Sequence, residues 1–151
     1  MVDKSNDFYK RPFVGYSLRL EMGFSGCLYM TNILFFCTGN CLRSRTAEAV
    51  YLSNPYMFAR SAGIDSTAWR QVNEEDVKWA DLLVVMEYWH RQYMEKCFHV
   101  YVEHKRITCL DIPDYYEYMD PSLIAEVTMK MPPYVSGLYQ CSNEREWRRG
   151  R

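Results

Sequence analysis

The stretch "NILFFCTGNCLRSRTAEAV", residues 32 to 50, constrains the fold of this chain more than any other. A short apolar run, typical of a buried strand, stops at small and polar residues, and helix-forming residues then follow. The pattern predicts a strand, a tight loop and a helix in succession. Repetition of such units along a chain builds an α/β protein.

Further strands and helices are predicted along the chain. The strand patterns are "YMFARSAG", "DLLVVM" and "RITCLD", and the helix patterns are "RTAEAVYL", "NEEDVKWA", "EYWHRQYMEK" and "MDPSLIAEV". Asn73 is expected to cap the second of these helices, and Asp120 followed by Pro121 is expected to begin the last. The alternation predicts an α/β fold with an open, mostly parallel four-stranded sheet and helices on both faces.

The domain is expected to span residues 30–134. A chain of 151 residues, 48% of them apolar, can build one ordinary domain with its own core. Met30 stands directly before the first convincing strand, which suggests the start of the domain. Residues 1–29 are predicted to be an N-terminal extension and residues 135–151 a loose C-terminal tail, because neither segment shows sustained apolar periodicity.

Balanced charge excludes several classes of partner. The 18 basic and 19 acidic residues give a formal net charge of -1, so general attraction to nucleic acid or acidic lipid is not expected. No apolar run approaches the roughly 18 residues that a membrane helix needs. We therefore expect a soluble, cytoplasmic protein without a nucleic-acid or membrane partner, and the sequence leaves the oligomeric state open. Any anion must bind at a local site.

The cysteines also favour a reducing compartment. They show neither paired CxxC spacing nor a compact disulfide pattern. The six are Cys27, Cys37, Cys41, Cys97, Cys109 and Cys141. The histidines, His90, His99 and His104, do not stand at metal-ligand spacing with them. No metal site and no cofactor are therefore predicted.

The loop after the first strand has the composition of a phosphate-binding site. Cys37 and Arg43 are separated by Thr38, Gly39, Asn40, Cys41 and Leu42, and Ser44 follows the arginine. Backbone N–H groups at a junction between a strand and a helix converge on an anion, and Gly39 permits a turn with positive φ. Arg43 offers a planar fork that matches two phosphate oxygens.

The same loop supplies a nucleophile. Its positive field favours the thiolate form of Cys37, which would stand beside the bound phosphate. The hydroxyl of Ser44 is expected to donate a hydrogen bond to that sulfur, which would make the sulfur a better leaving group in a second step. Asn40 is expected to hold the loop in shape through hydrogen bonds to its backbone.

The segment "CTGNCLRSRTAEA" resembles the phosphate-binding loop of low-molecular-weight protein tyrosine phosphatases. The resemblance continues, in the family's order, through "RSAGI", "WADLLVVME" and "LDIPDYYEYMDPSLI", and covers about residues 30 to 134. It implies hydrolysis of phosphate monoesters through a phosphocysteine at Cys37. It also implies that the substrates are phosphotyrosine-containing proteins or small aryl phosphates.

Such a reaction needs a general acid for the departing oxygen. Asp111 and Asp114 both follow the strand "RITCL" in a loop at the correct edge of the sheet, and the residues alone do not choose between them. The resemblance assigns the role to Asp114, which stands in an aspartate, any residue, tyrosine context. Tyr115 and Tyr116 are then expected to wall the cleft and stack on a phenyl ring.

Three departures from the family pattern leave other functions open. Leu42 stands where many members have a cysteine, Cys41 stands one place earlier, and Arg45 replaces the usual proline. One alternative is a thioredoxin-coupled arsenate reductase, for which Cys97 and Cys109 are the candidate relay cysteines. A second alternative is an inactive relative that binds phosphate. A cysteine protease is disfavoured because no local signature places a histidine near Cys37.

Overall fold

The computed structural model describes residues 31–55 and 57–131, and this part of the chain contains four strands and five helices. The strands are β1 (Thr31–Cys37), β2 (Met57–Gly63), β3 (Leu82–Val85) and β4 (Arg106–Cys109). The helices are α1 (Arg43–Tyr51), α2 (Glu74–Trp79), α3 (Tyr88–Cys97), α4 (His99–Val102) and α5 (Pro121–Lys130). The predicted extension, residues 1–29, and the predicted tail, residues 135–151, lie outside the described residues.

The strands form one sheet in the order β2-β1-β3-β4, and every described strand pair is parallel. In the central strand β1, Ile33 is in register with Ala59 of β2 on one side and with Leu82 of β3 on the other. The predicted four-stranded α/β sheet is therefore confirmed.

Alternate residues of β1 belong to two different apolar cores. Ile33, Phe35 and Cys37 contribute to a core that also contains Leu123 and Val127 of α5. The next positions along the strand, Leu34 and Phe36, contribute to a second core, in which Val77 of α2 and Met94 of α3 take part. Because successive side chains of a strand point to opposite faces, helices cover the sheet on both sides, as predicted.

Both predicted helix caps are confirmed. The N–H of Asp76 donates to Oδ1 of Asn73 at 2.9 Å, and the Asp76 carboxylate accepts from the N–H of Asn73, which completes a capping box at α2. At α5, Oδ1 of Asp120 accepts from the N–H of Ser122 at 2.8 Å, and Pro121 is the first helical residue.

Two features of the helices differ from the prediction. The first helix begins at Arg43 rather than Arg45, because the carbonyl of Leu42 already accepts from the N–H of Thr46 at 2.9 Å. Arg43 and Ser44 thus lie in the first turn of α1. The short helix α4 was not predicted, since four residues are too few to show helical periodicity.

The order of the strands places a crevice at the carboxyl end of β1. The chain moves from β1 outward to β2 and then crosses back to β3 on the other side of β1. Open parallel sheets bind ligands where the chain reverses direction in this way. The loops that follow β1 and β3, together with the loop that follows β4, therefore bound the candidate site.

Candidate active site

The predicted phosphate-binding loop, residues 38–42, is held by the segment that follows β2. The carbonyls of Cys37, Thr38 and Gly39 accept hydrogen bonds from the N–H groups of Ile64, Asp65 and Trp69 at 3.1, 3.0 and 3.1 Å. Since three successive carbonyls are engaged with this segment, the loop is fixed from its outer side. On the inner side, the N–H of Asn40 points to the sulfur of Cys37.

The sulfur of Cys37 lies inside that turn with two polar neighbours. Cys37 is buried, with a relative exposure of 3%. Its Sγ lies 2.9 Å from Oγ of Ser44 and accepts a hydrogen bond from the N–H of Asn40 at 3.2 Å. The sulfur therefore has one side-chain and one backbone group within hydrogen-bonding distance.

The side-chain amide of Asn40 determines which way these hydrogen bonds point. Its Nδ2 donates to Oγ of Ser44 at 3.0 Å and to Oγ of Ser61 at 2.8 Å. Each hydroxyl accepts from the amide and keeps its own proton to donate elsewhere. Ser61 donates to the carboxylate of Glu48, and Ser44 is left to donate to Cys37.

Two expectations about the shape of this loop are corrected. The positive φ belongs to Asn40, at 50°, whereas no described glycine, Gly39 included, has a positive φ. Asparagine tolerates this region because its short polar side chain forms local hydrogen bonds. Those hydrogen bonds run to the hydroxyls of Ser44 and Ser61, not to the loop backbone as expected.

Arg43 is almost completely buried and faces two carboxylates. Its side chain is 1% exposed. The Nη1 atom donates to the carboxylate of Glu87 and to the carbonyl of Ile112 at 2.8 Å. The Nε atom lies 3.2 Å from Oδ1 of Asp114 but has no aligned hydrogen-bond partner among the described residues. A buried donor without a partner is costly, and a bound anion could satisfy it.

Glu87, two residues after the end of β3, is the N-cap residue of α3 and binds Arg43. Burial opposes ionisation of the Glu87 carboxyl, but hydrogen bonds from Arg43 and Trp89 outweigh it, so the pKa of Glu87 is lowered. Trp89 donates from Nε1 to Oε2 at 2.8 Å. A carboxylate held by two donors fixes the position of the Arg43 guanidinium.

His90 connects the same helix to the phosphate-binding loop. Its Nδ1 accepts from the N–H of Glu87 at 3.0 Å, so Nε2 carries the proton that is shared with Oγ1 of Thr38 at 3.1 Å. Burial, and secondly the positive charge of Arg43, lower the pKa of His90 to about 4. The ring is therefore neutral at neutral pH.

The loop after β4 carries both aspartates that were predicted as candidate acids. Asp114 is exposed on one side and paired with Arg43 on the other. Asp111 is exposed as well, has a φ of 52°, and uses its carbonyl to accept from Lys130 at 3.0 Å. Of the two carboxylates, only that of Asp114 contacts a predicted site residue among those described.

The two predicted wall tyrosines lie in different environments. Tyr115 is 72% exposed, whereas Tyr116 is buried in the apolar core with Ile112 and Leu123. Their ring centroids are 4.4 Å apart and their hydroxyls 3.1 Å apart. That hydrogen bond, followed by burial, raises the pKa of Tyr116 to about 12. Tyr116 thus supports the exposed ring of Tyr115.

The other predicted loop residues and the other described cysteines differ in burial. Cys41 and Leu42 are half-buried. Cys97 is exposed at the end of α3, and Cys109 is half-buried at the end of β4.

Within residues 31–55 and 57–131, no cluster of potential ligands is suited to a metal ion. No helix in these two ranges is both long and apolar enough to cross a membrane.

Sequence reasoning missed four residues that surround the site. They are Glu48, Ser61, Glu87 and His90, which hydrogen-bond directly to predicted residues or through one another. The positions of three of them relative to the predicted strands could have identified them. Ser61 lies near the carboxyl end of β2, and Glu87 and His90 follow β3, at the edge where ligands bind in such sheets.

Models of known protein families give no match to this chain, and neither do curated proteins. Solved structures do match. YwlE arginine phosphatase from Geobacillus stearothermophilus is 17% identical, with a TM-score of 0.55, over 76% of this chain and 99% of the other. The tyrosine phosphatase Wzb from Escherichia coli K30, in complex with phosphate, is 20% identical, with a TM-score of 0.57, over 72% and 99%.

A third structure is SP-PTP, a low molecular weight protein tyrosine phosphatase from Streptococcus pyogenes. It is 15% identical, with a TM-score of 0.57, over 79% of this chain and 98% of the other. Nearly the whole length of each of these proteins is matched. At such low identities the similarity concerns the backbone, and the chain has the fold of low-molecular-weight protein tyrosine phosphatases.

Proposed function

We propose that this protein hydrolyses phosphate monoesters through a phosphocysteine formed at Cys37. One observation carries the proposal: a buried sulfur receives hydrogen bonds from Ser44 and Asn40, in a loop whose following residue, Arg43, is buried and faces Asp114. A nucleophile, an anion-binding cation and an acid are thus assembled around one strand end. The solved structures with the same fold are described as phosphatases, which supports the reaction class.

In the first step, the Cys37 thiolate attacks the phosphorus atom and the ester oxygen departs. Arg43 and the loop N–H groups bind the nonbridging oxygens, where negative charge must be stabilised. Asp114, in its protonated form, gives its proton to the leaving oxygen. An S–P bond forms as the P–O bond of the ester breaks, and the products are an alcohol or a phenol and the phosphocysteine.

In the second step, water attacks the phosphorus atom of that intermediate. Asp114, now a carboxylate, takes a proton from the water, an O–P bond forms, and the S–P bond breaks. The electron pair returns to Cys37 as a thiolate. The hydroxyl of Ser44, which lies 2.9 Å from the sulfur, stabilises this leaving group by donating a hydrogen bond.

Phosphotyrosine on a protein is the proposed substrate. Tyr115, exposed next to Asp114, offers an aromatic face on which a phenyl ring can stack. One solved structure with this fold is described as an arginine phosphatase, so phosphoarginine is the alternative substrate whose hydrolysis should be compared with that of phosphotyrosine. A reducing, cytoplasmic setting belongs to the proposal, because Cys37 acts as a free thiol.

An arsenate reductase is less well supported. Such an enzyme would relay oxidation from Cys37 through further cysteines, and the candidates were Cys97 and Cys109. Cys97 ends helix α3 and is exposed, whereas Cys109 lies in β4, in register with Val85 of β3. A cysteine in a hydrogen-bonded strand cannot move to a partner without breaking the sheet.

The proposal is tested by phosphate release under reducing conditions from 4-nitrophenyl phosphate, a phosphotyrosine peptide and phosphoarginine. Wild type, Cys37→Ser, Asp114→Ala and Cys97→Ser are compared. We expect turnover of the two aryl phosphates by wild type and Cys97→Ser, and loss of turnover in Cys37→Ser. Cys97→Ser is the matched control because it removes a thiol that the proposed reaction does not use.

Binding measurements separate the competing functions. Cys37→Ser should keep its affinity for inorganic phosphate, since Arg43 and the loop N–H groups are unchanged. An inactive wild type that still binds phosphate would make the protein a phosphate-binding relative. Arsenate-dependent consumption of reduced thioredoxin that Cys97→Ser abolishes would instead make it a reductase.

A further inference from the structure

Arg45, which replaces the usual proline, lies against the aromatic rings of Trp69 and Tyr118, and the three side chains are called the clamp below. Its Cζ atom lies 4.5 Å from the ring centroid of Trp69 and 5.2 Å from that of Tyr118. Both distances are within the range of cation–π attraction. Contact with two rings restricts the conformations of the Arg45 side chain more than exposure to solvent alone would.

Both rings are attached to the framework of the proposed active site. The N–H of Trp69 donates to the carbonyl of Gly39, within the phosphate-binding loop, at 3.1 Å. Tyr118 precedes Met119, whose N–H donates to Oγ1 of Thr46 on α1 at 2.9 Å. The clamp therefore joins α1, which carries Arg43, to the segment that holds the phosphate-binding loop and to the loop that carries Asp114.

The rings are open to solvent even though they hold a cation. Trp69 is 74% exposed and Tyr118 is 46% exposed. Among the described residues, Arg45 forms no ion pair with a carboxylate. Contact with two aromatic rings leaves the charge of the Arg45 guanidinium without an anionic partner in the described part of the chain. A guanidinium binds a carboxylate through two parallel N–H donors, so Arg45 has the chemistry to bind one.

We propose that Arg45 is a specificity-determining residue that binds the carboxylate of an acidic side chain close to the phosphorylated residue of the substrate. The preferred substrates are then acidic phosphopeptides, and Trp69 and Tyr118 pre-organise the guanidinium for them. This inference rests on the proposed phosphatase function and names the substrate class of the same site.

The test is the ratio of kcat/KM for two phosphotyrosine peptides that differ only in their flanking residues, aspartate in one and asparagine in the other. In wild type we expect a ratio of about ten or more in favour of the aspartate peptide at low salt. In Arg45→Gln the ratio should fall close to one. A peptide flanked by lysine should be the poorest substrate of wild type.

Arg106→Gln is the matched control for the charge removed. Arg106 is exposed and begins β4, so it lies at the amino-terminal edge of the sheet, opposite the phosphate-binding loop. The ratio should stay at its wild-type value in this variant. Arg45→Lys keeps the charge but not the planar fork, and should give an intermediate ratio.

The outcomes separate this inference from the function on which it rests. If wild type hydrolyses 4-nitrophenyl phosphate but treats both peptides alike, the clamp is only a structural contact and the inference fails. The inference also fails if Arg45→Gln keeps the wild-type ratio. If wild type hydrolyses no phosphate ester, the proposed function fails first. Should Arg45→Gln not fold, Trp69→Leu, which removes one wall, must lower the ratio.

Discussion

The Nε atom of Arg43 lies 3.2 Å from Oδ1 of Asp114, so the proposed phosphate-binding cation and the proposed general acid face each other across the site. A phosphate bound to Arg43 would therefore lie within reach of Asp114. Asp111, three residues earlier, makes no such contact among the described residues. This relationship favours Asp114 over Asp111 as the proton donor.

Replacing Asp114 by asparagine should lower kcat for an aryl phosphate by about 10² to 10⁴, because that is the usual contribution of a general acid. Asp111→Asn is the matched control. Asparagine tolerates the φ of 52° at this position, so kcat should change little. Steady-state kinetics with 4-nitrophenyl phosphate measures both variants. A larger loss in Asp111→Asn than in Asp114→Asn would reverse the assignment.

Glu87 is predicted to position Arg43 for catalysis without touching the substrate. Glu87→Ala leaves the buried Nη1 with only the carbonyl of Ile112, and a misplaced guanidinium should lower kcat/KM by about ten- to a hundredfold. Glu87→Gln keeps an acceptor at the same place and should recover part of that loss. Equal losses in the two variants would contradict a role that depends on this hydrogen bond.

The neutral state of His90 predicts a pH dependence of stability. The pKa of His90 in the folded chain, about 4, lies below its ordinary value of 6.5, so the unfolded chain binds the proton more readily. The contribution of neutral His90 to the free energy of unfolding should therefore be at its full value above pH 6.5 and decrease as the pH falls towards 4. The neighbouring charges oppose each other, since Arg43 lowers this pKa and Glu87 raises it.

Urea unfolding at several pH values measures this effect. His90→Gln is the comparison, because a neutral amide can still donate to Thr38 and accept from the N–H of Glu87. The decrease in stability between pH 6.5 and 4 should be smaller in His90→Gln than in wild type. Identical pH profiles of the two proteins would show that His90 is not the group responsible.

Gly63 is predicted to tolerate no side chain. A Cβ atom there would lie 2.6 Å from Cβ of Ala68, 2.7 Å from the carbonyl oxygen of Thr38 and 2.9 Å from the nitrogen of Asn40. Gly63→Ala should therefore displace the phosphate-binding loop and cost about 1–3 kcal/mol of stability. Gly39→Ala is the control for stability, because its Cβ would meet only Cys41 Sγ, at an ordinary 3.4 Å. Urea midpoints that fall equally in both variants would contradict this reading.

Local patterns in the sequence were sufficient for most of the fold. Short apolar runs predicted the four strands of the described part of the chain, and Asn73 and Asp120 marked helix starts that the structure confirms. These features act within a few residues, because strand burial and helix capping depend on neighbouring side chains. The helix α4 has four residues, which is too short for a helical repeat of apolar residues to be recognised.

The loop itself shows where local reasoning fails. Gly39 was the natural candidate for a positive φ, yet Asn40 adopts it. The reason lies 21 residues away in sequence, since the Asn40 amide donates to Ser61 on the neighbouring strand. Such a hydrogen bond repays the conformational cost of the left-handed region, and no local pattern reveals it.

The sequence by itself determined the order of the four described strands and of every described helix except α4, and it placed a cysteine, an arginine and a serine around one strand end. Only the tertiary structure decided which distant residues complete the site: Glu87 and His90 behind Arg43 and Thr38, and Trp69 and Tyr118 around Arg45. The physical reason is that parallel strands bring their carboxyl ends to one edge of the sheet, where loops remote in sequence come into contact.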